Sequence, residues 1–453
     1  MLYDVLVVGS GFSAIAVACN LIESLPPDAA IGIVGDDPGF GRGTAYRTEL
    51  YLHRLNVPAA RMSLFPDRPD DFVAWLERHG RHVKAGDFAS RADYGLYVRD
   101  SLAGILRPRA SRCRVDFIKA KATGCIERYA ASTAFSLDNG DQIAGRYVVL
   151  CLGLGNAPLP LAFDGLTTSM RSKIVKNPWR LSWLRRVAPH DDVTILGSGL
   201  TMIDQVLALR ARGHKGNINV LSRRGLAPLG HHRNHSPATD PRLPPLPWTI
   251  SKLLRHLRDK ASASEDWRSV MDGLRPITQK IWQQLDPVEK SRFLRHALPW
   301  WNIHRHRVAP DVFDRFQALR DQAVLKMHAG YLTRVDQHDD RLEISYRKRR
   351  TQIVESFSTD IVVNCTGMER AGIDHSPLLK EMRNLGMIEA DPLGLGIAVD
   401  RDSRILASDG IVQKNIYAVG ALTAGQFWEI TAVPDIRVQA RHVSLAIASA
   451  YAR

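Results

Sequence analysis

The stretch TILGSGLTMIDQ, residues 194–205, decides the fold: an apolar run breaks into Gly-x-Gly and resumes as a helix. In such a turn the first glycine reverses the chain and the second lets backbone approach a pyrophosphate. The succeeding helix offers free N–H groups and a positive dipole end to the phosphates. The same design stands at the start of the chain, in VVGSGFSAIAVACNLI, residues 7–22. Two such turns predict two bound dinucleotides. Gly9, Gly11, Ser13 and Ala14 would hold one, and Gly197 and Gly199 the other.

Around these turns, the pattern predicts an α/β chain of two Rossmann-like dinucleotide-binding units, the second inserted in the first. The first unit opens with a strand at Tyr3–Val8. Its second strand, AAIGIVG (29–35), delivers Asp36 and Asp37 for a ribose hydroxyl. In the usual fingerprint the acid directly ends the strand; here Gly35 takes that place and Asp36 comes one residue late. Residues 113–150 read as a β-meander with a hairpin turn at Asn139-Gly140. The loop LGNAPLP (154–160) is then the expected crossing to the second unit.

That second unit is expected over 166–364. Its strand NINVLSRRG (217–225) ends in Ser222, Arg223 and Arg224, where an NAD site would place an acid. A guanidinium pair there suits the extra phosphate of NADPH. Residues 226–325 carry amphipathic stretches at helical spacing, TISKLLRHLRDK, WRSVMDGLRPITQKIWQQL and DVFDRFQALRDQAV, and read as a helical insertion. Its tryptophans, Trp248, Trp267, Trp282, Trp300 and Trp301, fit either a core or a substrate platform. DIVVNCTGMER (360–370) repeats the logic of YVVLCLGLGN (147–156) and returns the chain to the first unit, which is therefore discontinuous, 1–165 and 365–453. Pro434 fits the first turn of the last helix, whose N-terminus would face the end of a flavin ring.

Composition excludes several classes. At 453 residues, 45% hydrophobic and 24% charged, the chain is an ordinary globular protein of about three domains' worth of core. Asp4 interrupts the apolar N-terminus, which lacks a basic leader, so it reads as a strand and not a signal peptide. No uninterrupted apolar run of about 18 residues occurs, so no membrane span is expected. Cys19, Cys113, Cys125, Cys151 and Cys365 are scattered without a C-x-x-C, which argues for a reducing cytoplasm and against a dithiol active site. The histidines of GHHRNH (230–235) and NIHRHR (302–307) have no Cys or acidic ligand at a zinc spacing, so no metal is expected, and they read as a polar loop facing nucleotide or substrate. The formal net charge of +14 favours anionic ligands. The basic run RKRR, Arg347–Arg350, lies between two strand-like segments and reads as a hairpin end, with no nucleic-acid motif beside it.

With these residues in place, the chain resembles the YdhS-like group of bacterial FAD/NAD(P)-binding flavoproteins. The matching stretches are VVGSGFSA, GRGTAY, LNVPAARMS, RADYGLY, LGSGLTMID, LRHALPWWNIHRHRVAP, NCTGME and FWEITAVPDIRVQA, and they cover nearly the whole chain. A more distant resemblance is to the flavin-dependent N-hydroxylating monooxygenases, through the two turns, the Ser90-Arg91 motif before Tyr94 and Tyr97, and Thr366-Gly367. The resemblance implies FAD and a nicotinamide cofactor. It places Asn56, Ser63, Thr366, Gly367, Gly420, Ala421, Asp435 and Ile436 at cofactor sites. Many relatives have Gly-Asp where this chain has Gly420-Ala421, so backbone N–H groups around Ala421 and Leu422 would replace the ribityl-binding acid.

These readings converge on reduction of FAD by NADPH, with O2 as the simplest acceptor and one oxygen atom delivered to a small nucleophilic substrate. A flavin oxidoreductase serving another acceptor, and a redox sensor that retains the nucleotides, stay open. Arg61, Trp428 and Glu429 are the candidate catalytic residues. Glu429 would bind a substrate amine or relay a proton, or else be a buried acid paired with Arg437 or Arg61.

Overall fold

The computed structural model describes residues 1–37, 39–107, 113–129, 132–155, 157–161, 165–233, 237–367, 373 and 375–453. Ala130 and Ala131 of the expected meander, Asn156 of the crossing loop, Asn234 and His235 of the histidine-rich stretch, and residues 368–370 lie outside them.

Two sheets of one topology form the molecule. In the first, the parallel strands run in spatial order Arg114–Ile118, Ala30–Val34, Leu2–Val8, Gln142–Leu150 and Val412–Ala418, with Arg404–Leu406 antiparallel at the edge. In the second, the order is Leu325–His338, Ile218–Ser222, Val193–Leu196, Ile361–Asn364 and Ile174–Val175, also parallel. Each sheet carries an antiparallel extension before its fourth strand. In the first it is Ala122–Tyr129 with Ser132–Leu137; in the second, Arg341–Lys348 with Val354–Thr359. The basic run Arg347–Arg350 turns the latter hairpin, as its flanking strands require.

The meander is shorter than its sequence pattern suggests. Arg114–Ile118 pairs in parallel with Ala30–Val34, because the helix Arg91–Leu106 carries the chain across between them. A crossover returns a strand parallel to its partner. In the insertion, WRSVMDGLRPITQKIWQQL breaks into helices Trp267–Leu274 and Thr278–Gln284 around a short 3₁₀ turn that contains Pro276.

The insertion lies over the C-terminal loop of the first unit. Trp282 is buried and donates from Nε1 to the carbonyl of Gly425 at 2.8 Å, and its ring stacks on Trp428 at 4.6 Å. Arg91 joins the units from the other side. It ion-pairs with Asp204 at 3.1 Å, and the ring of His53 hydrogen-bonds the Asp204 carbonyl at 3.1 Å.

Candidate functional site

The two Gly-rich turns match in their chemistry. Gly9 N–H donates to the Val34 carbonyl and Gly197 N–H to the Leu221 carbonyl, each at 2.8 Å. Gly9 (φ +134°) and Gly197 (φ +99°) adopt backbone conformations that side chains resist. A Cβ at either would collide with a cysteine carbonyl, Cys151 or Cys365, at the end of the fourth parallel strand. The two valine-rich strands that end in a cysteine therefore wall their respective turns. Gly11 and Gly199 cap the helices after them in one conformation, φ −83° with ψ −170° and −167°. Gly199 faces open space, and Gly11 meets only the Gly43 backbone, at 3.9 Å. Both positions leave the room a diphosphate needs.

At the end of the second strand of the first unit, Gly35 packs on Ser10 so closely that no side chain fits. This explains the late acid. Asp36 is exposed, while Asp37 sets one carboxylate oxygen, Oδ2, in a buried position with no partner. A buried acceptor without a donor is costly, and a ribose hydroxyl would satisfy it. The Gly-x-Gly turn and this orphan oxygen together fit an adenosine diphosphate moiety.

The second turn opens into a cleft of about 980 Å³. Gly197, Gly199, Ser222, Arg223 and Arg224 line one end, with Thr366 and Gly367 beside them. Arg223 is exposed and Arg224 half-buried, and neither forms an ion pair among the described residues. The Ser222 hydroxyl accepts from Ser198 at 2.9 Å and from the Gly225 N–H at 3.0 Å, shaping the loop that carries the two arginines. Thr366 donates its hydroxyl to Asn364 at 2.7 Å.

The other end of the cleft reaches Asn302, Ile303 and His306. His306 lies 3.6 Å from Glu429, which also accepts from Arg305 Nε at 3.1 Å and Trp301 Nε1 at 2.8 Å. Glu429 is thus a buried, paired acid, but its partners come from the insertion and not from Arg437 or Arg61. These partners come from the helix Leu298–Arg305 and its C-terminal end, which follows a turn of π-helix at Phe293–Ala297 and carries Pro299 in its first turn. Burial holds His306 below its ordinary pKa despite Glu429, so it stays neutral near pH 7. Glu429 itself sits at φ +65°, a strained setting for a non-glycine residue. Sequence reasoning reads the stretch that holds His306 as polar and facing nucleotide or substrate, and His306 lines the cleft; it misses the pairing of His306 and Arg305 with Glu429, because nothing in the spacing points to an acid far along the chain.

Several expected residues have other employment. Ser63 is fully buried and donates to the carbonyls of Phe65 and Arg68, leaving nothing for a phosphate. The N–H groups of Asp435 and Ile436 both donate to the Ala432 carbonyl at 3.0 Å, and the Ile436 side chain is in the core, so neither residue offers a free donor to a flavin. Asp435 instead pairs with Arg275 at 3.3 Å, and burial raises its pKa. Trp428 packs in the insertion's apolar cluster, although its buried Nε1 has no partner. Arg61 is exposed and forms no ion pair among the described residues. The Asn56 carbonyl bonds His231 at 3.1 Å. Ser13 lies against Gly420, where a Cβ would come within 2.5 Å of its hydroxyl, so the first turn and the C-terminal loop meet. Gly420 N–H donates to Gln439, and the expected donors at Ala421 and Leu422 come next in a 3₁₀ turn.

Residues 6–155 match a family model described as FAD-NAD(P)-binding. No curated protein matches the chain in sequence. Among solved structures, the chain is similar to a Kutzneria sp. 744 ornithine N-hydroxylase, solved with reduced FAD, NADP⁺ and L-ornithine, at 14% identity and TM-score 0.72 over 100% of both chains. It is also similar to L-lysine 6-monooxygenase from Pseudomonas syringae, at 20% identity and TM-score 0.68 over 99% of both. Thioredoxin reductase of T. acidophilum shares the fold at 11% identity and TM-score 0.56, over 100% of this chain and 99% of that one.

Proposed function

We propose that the chain is an FAD-dependent NADPH monooxygenase that places one atom of O2 on a small nucleophilic substrate. The observation that carries this reading is the cleft itself: one cavity joins an unpaired arginine couple, fit for a 2′-phosphate, to the Glu429–His306–Arg305 cluster. Bound FAD supplies a two-electron carrier that NADPH reduces and O2 reoxidises. The chain's own residues do the rest. Gly9, Gly11, Ser13, Ala14 and Asp37 would hold the FAD diphosphate and ribose, and Gly197, Gly199, Arg223 and Arg224 the NADPH.

At the inner end of the cleft, the neutral His306 has the capacity to hold or release a proton at a ring nitrogen, with Glu429 oriented by Arg305 and Trp301 behind it. All five cysteines are buried, and burial raises the thiols of Cys19, Cys125, Cys151 and Cys365, so no dithiol is poised to take electrons as in a disulfide reductase. Buried thiols that form no disulfide also fit a cytoplasmic location.

The test is oxygen consumption by the FAD-loaded protein with NADPH and a panel of primary amines under isotopically labelled O2. Labelled product is expected. Electron transfer to an added acceptor, with no label incorporated from any substrate, would favour a flavin oxidoreductase instead.

A further inference from the structure

A second cavity, of about 420 Å³, opens between the two units farther along the helix Leu200–Ala211. Its residues and those of the large cleft do not overlap: Gly199 to Thr201 of this region line the cleft, while Gln205 and Arg212 line the second cavity. The first unit contributes Arg47 and Arg91, and the loop before the second unit's turn contributes Arg180 and Arg185. Glu49 also lines it; Glu49, Arg180, Arg185 and Arg212 are exposed to solvent, whereas Arg47 and Arg91 are half-buried.

Two observations point to a ligand. Arg47, Arg180, Arg185 and Arg212 form no ion pair among the described residues, and Arg91 is only partly neutralised by Asp204. Several like charges converging on one concavity repel one another unless an anion joins them. Independently, Gln205 is 1% exposed, and both ends of its carboxamide, Oε1 and Nε2, lack a hydrogen-bond partner. A buried carboxamide with neither donor nor acceptor used is an expensive arrangement, and it lies in the wall of the basic cavity. The cavity volume is that of an ordinary small-molecule site.

We propose that this interdomain cavity binds a small, multiply charged phosphate-bearing molecule, held by the arginines and hydrogen-bonded by Gln205, with FAD and NADPH in place. Such a ligand would touch both units and the helix that caps the NADPH turn. Its occupancy would therefore bear on how the two units sit together. One end of the cavity, at Thr44, adjoins Gly43 and so approaches the FAD turn; the competing occupant is thus the FAD diphosphate itself.

The experiment is calorimetric titration of the full chain, FAD-loaded and saturated with NADP⁺, using inorganic pyrophosphate as the probe at fixed salt. Saturation with both nucleotides separates this site from the proposed cofactor sites. Binding to wild type is expected. Affinity should fall tenfold or more in the surface variant Arg180→Ala/Arg212→Ala, and change little in Arg223→Ala/Arg224→Ala. Gln205→Leu should weaken binding while the protein keeps its FAD. Absence of binding to the doubly loaded protein, or unchanged affinity in Arg180→Ala/Arg212→Ala, would overturn the proposal. Binding seen only before FAD is added would assign the arginines to FAD and equally overturn it.

Discussion

Gly11 and Gly43 meet backbone to backbone, with 3.3 Å between the Cα of Gly11 and a Cβ built on Gly43. Gly11→Val would fill the space a diphosphate needs, and the purified variant should be colourless; retention of full FAD would mean the cofactor lies elsewhere. Glu429 makes a second case. Its pairing with Arg305 is buried, with side chains 7% and 9% exposed, so Glu429→Ala leaves a charge without a partner. Breaking one side of a buried pair costs about 3–5 kcal/mol. Glu429→Ala should lower the unfolding midpoint sharply and slow turnover, while Glu429→Gln keeps the Trp301 hydrogen bond but still leaves Arg305 without its counter-charge, and should recover only part of the stability. A stability loss with unchanged steady-state kinetics would make Glu429 a structural residue alone. The place of Arg223 and Arg224 at the cleft was legible because they directly follow the second strand of their unit. The Glu429 partners were not, since Arg305 and Glu429 are 124 residues apart.

Among the helices and strands, both strand–turn–helix units could be read directly, because glycine placement answers to local backbone geometry and valine runs to burial. The strand Arg114–Ile118 was harder: its residues suit either a meander or a crossover, and only the position of helix Arg91–Leu106 selects the latter. The same helix also joins the two units. Its first residue, Arg91, ties them through Asp204, with side chains 12% and 9% exposed. Arg91→Ala should cost about 3–5 kcal/mol by stranding the carboxylate. We expect earlier unfolding of the second unit by limited proteolysis, with the FAD turn still able to bind. An unchanged proteolysis pattern would show that the pair contributes little to the junction.

For the molecule as a whole, the two sheets repeat one topology, which the sequence announces twice in its turns and twice in its cysteine-ended strands. The docking of the insertion against the C-terminal loop was beyond sequence reasoning, because amphipathic helices declare a buried face but not its partner. Four histidines, spread over both units and the insertion, also set a pH response. Burial holds His53, His214, His306 and His328 below their ordinary value of 6.5. The unfolded chain therefore takes up protons first as pH falls below about 6.5, and stability is lost in that direction. Thermal midpoints should drop between pH 7 and pH 5, with a shallower slope in His53→Asn; a flat profile would contradict the burial of these rings.

The proposed function rests on FAD at the first turn and NADPH at the second, the coenzyme chosen by Arg223 and Arg224. Hydrogen bonds to charged groups contribute about 1.5–3 kcal/mol each, and about 1.4 kcal/mol is tenfold in affinity. The direct measurement is the anaerobic rate of flavin bleaching against NADPH and NADH, in wild type and in Arg223→Ala/Arg224→Ala, at one salt concentration. Wild type should prefer NADPH, and the double variant should lose tenfold or more with NADPH while NADH changes little. Equal rates with both nucleotides in wild type, or an equal loss with both in the variant, would contradict this assignment.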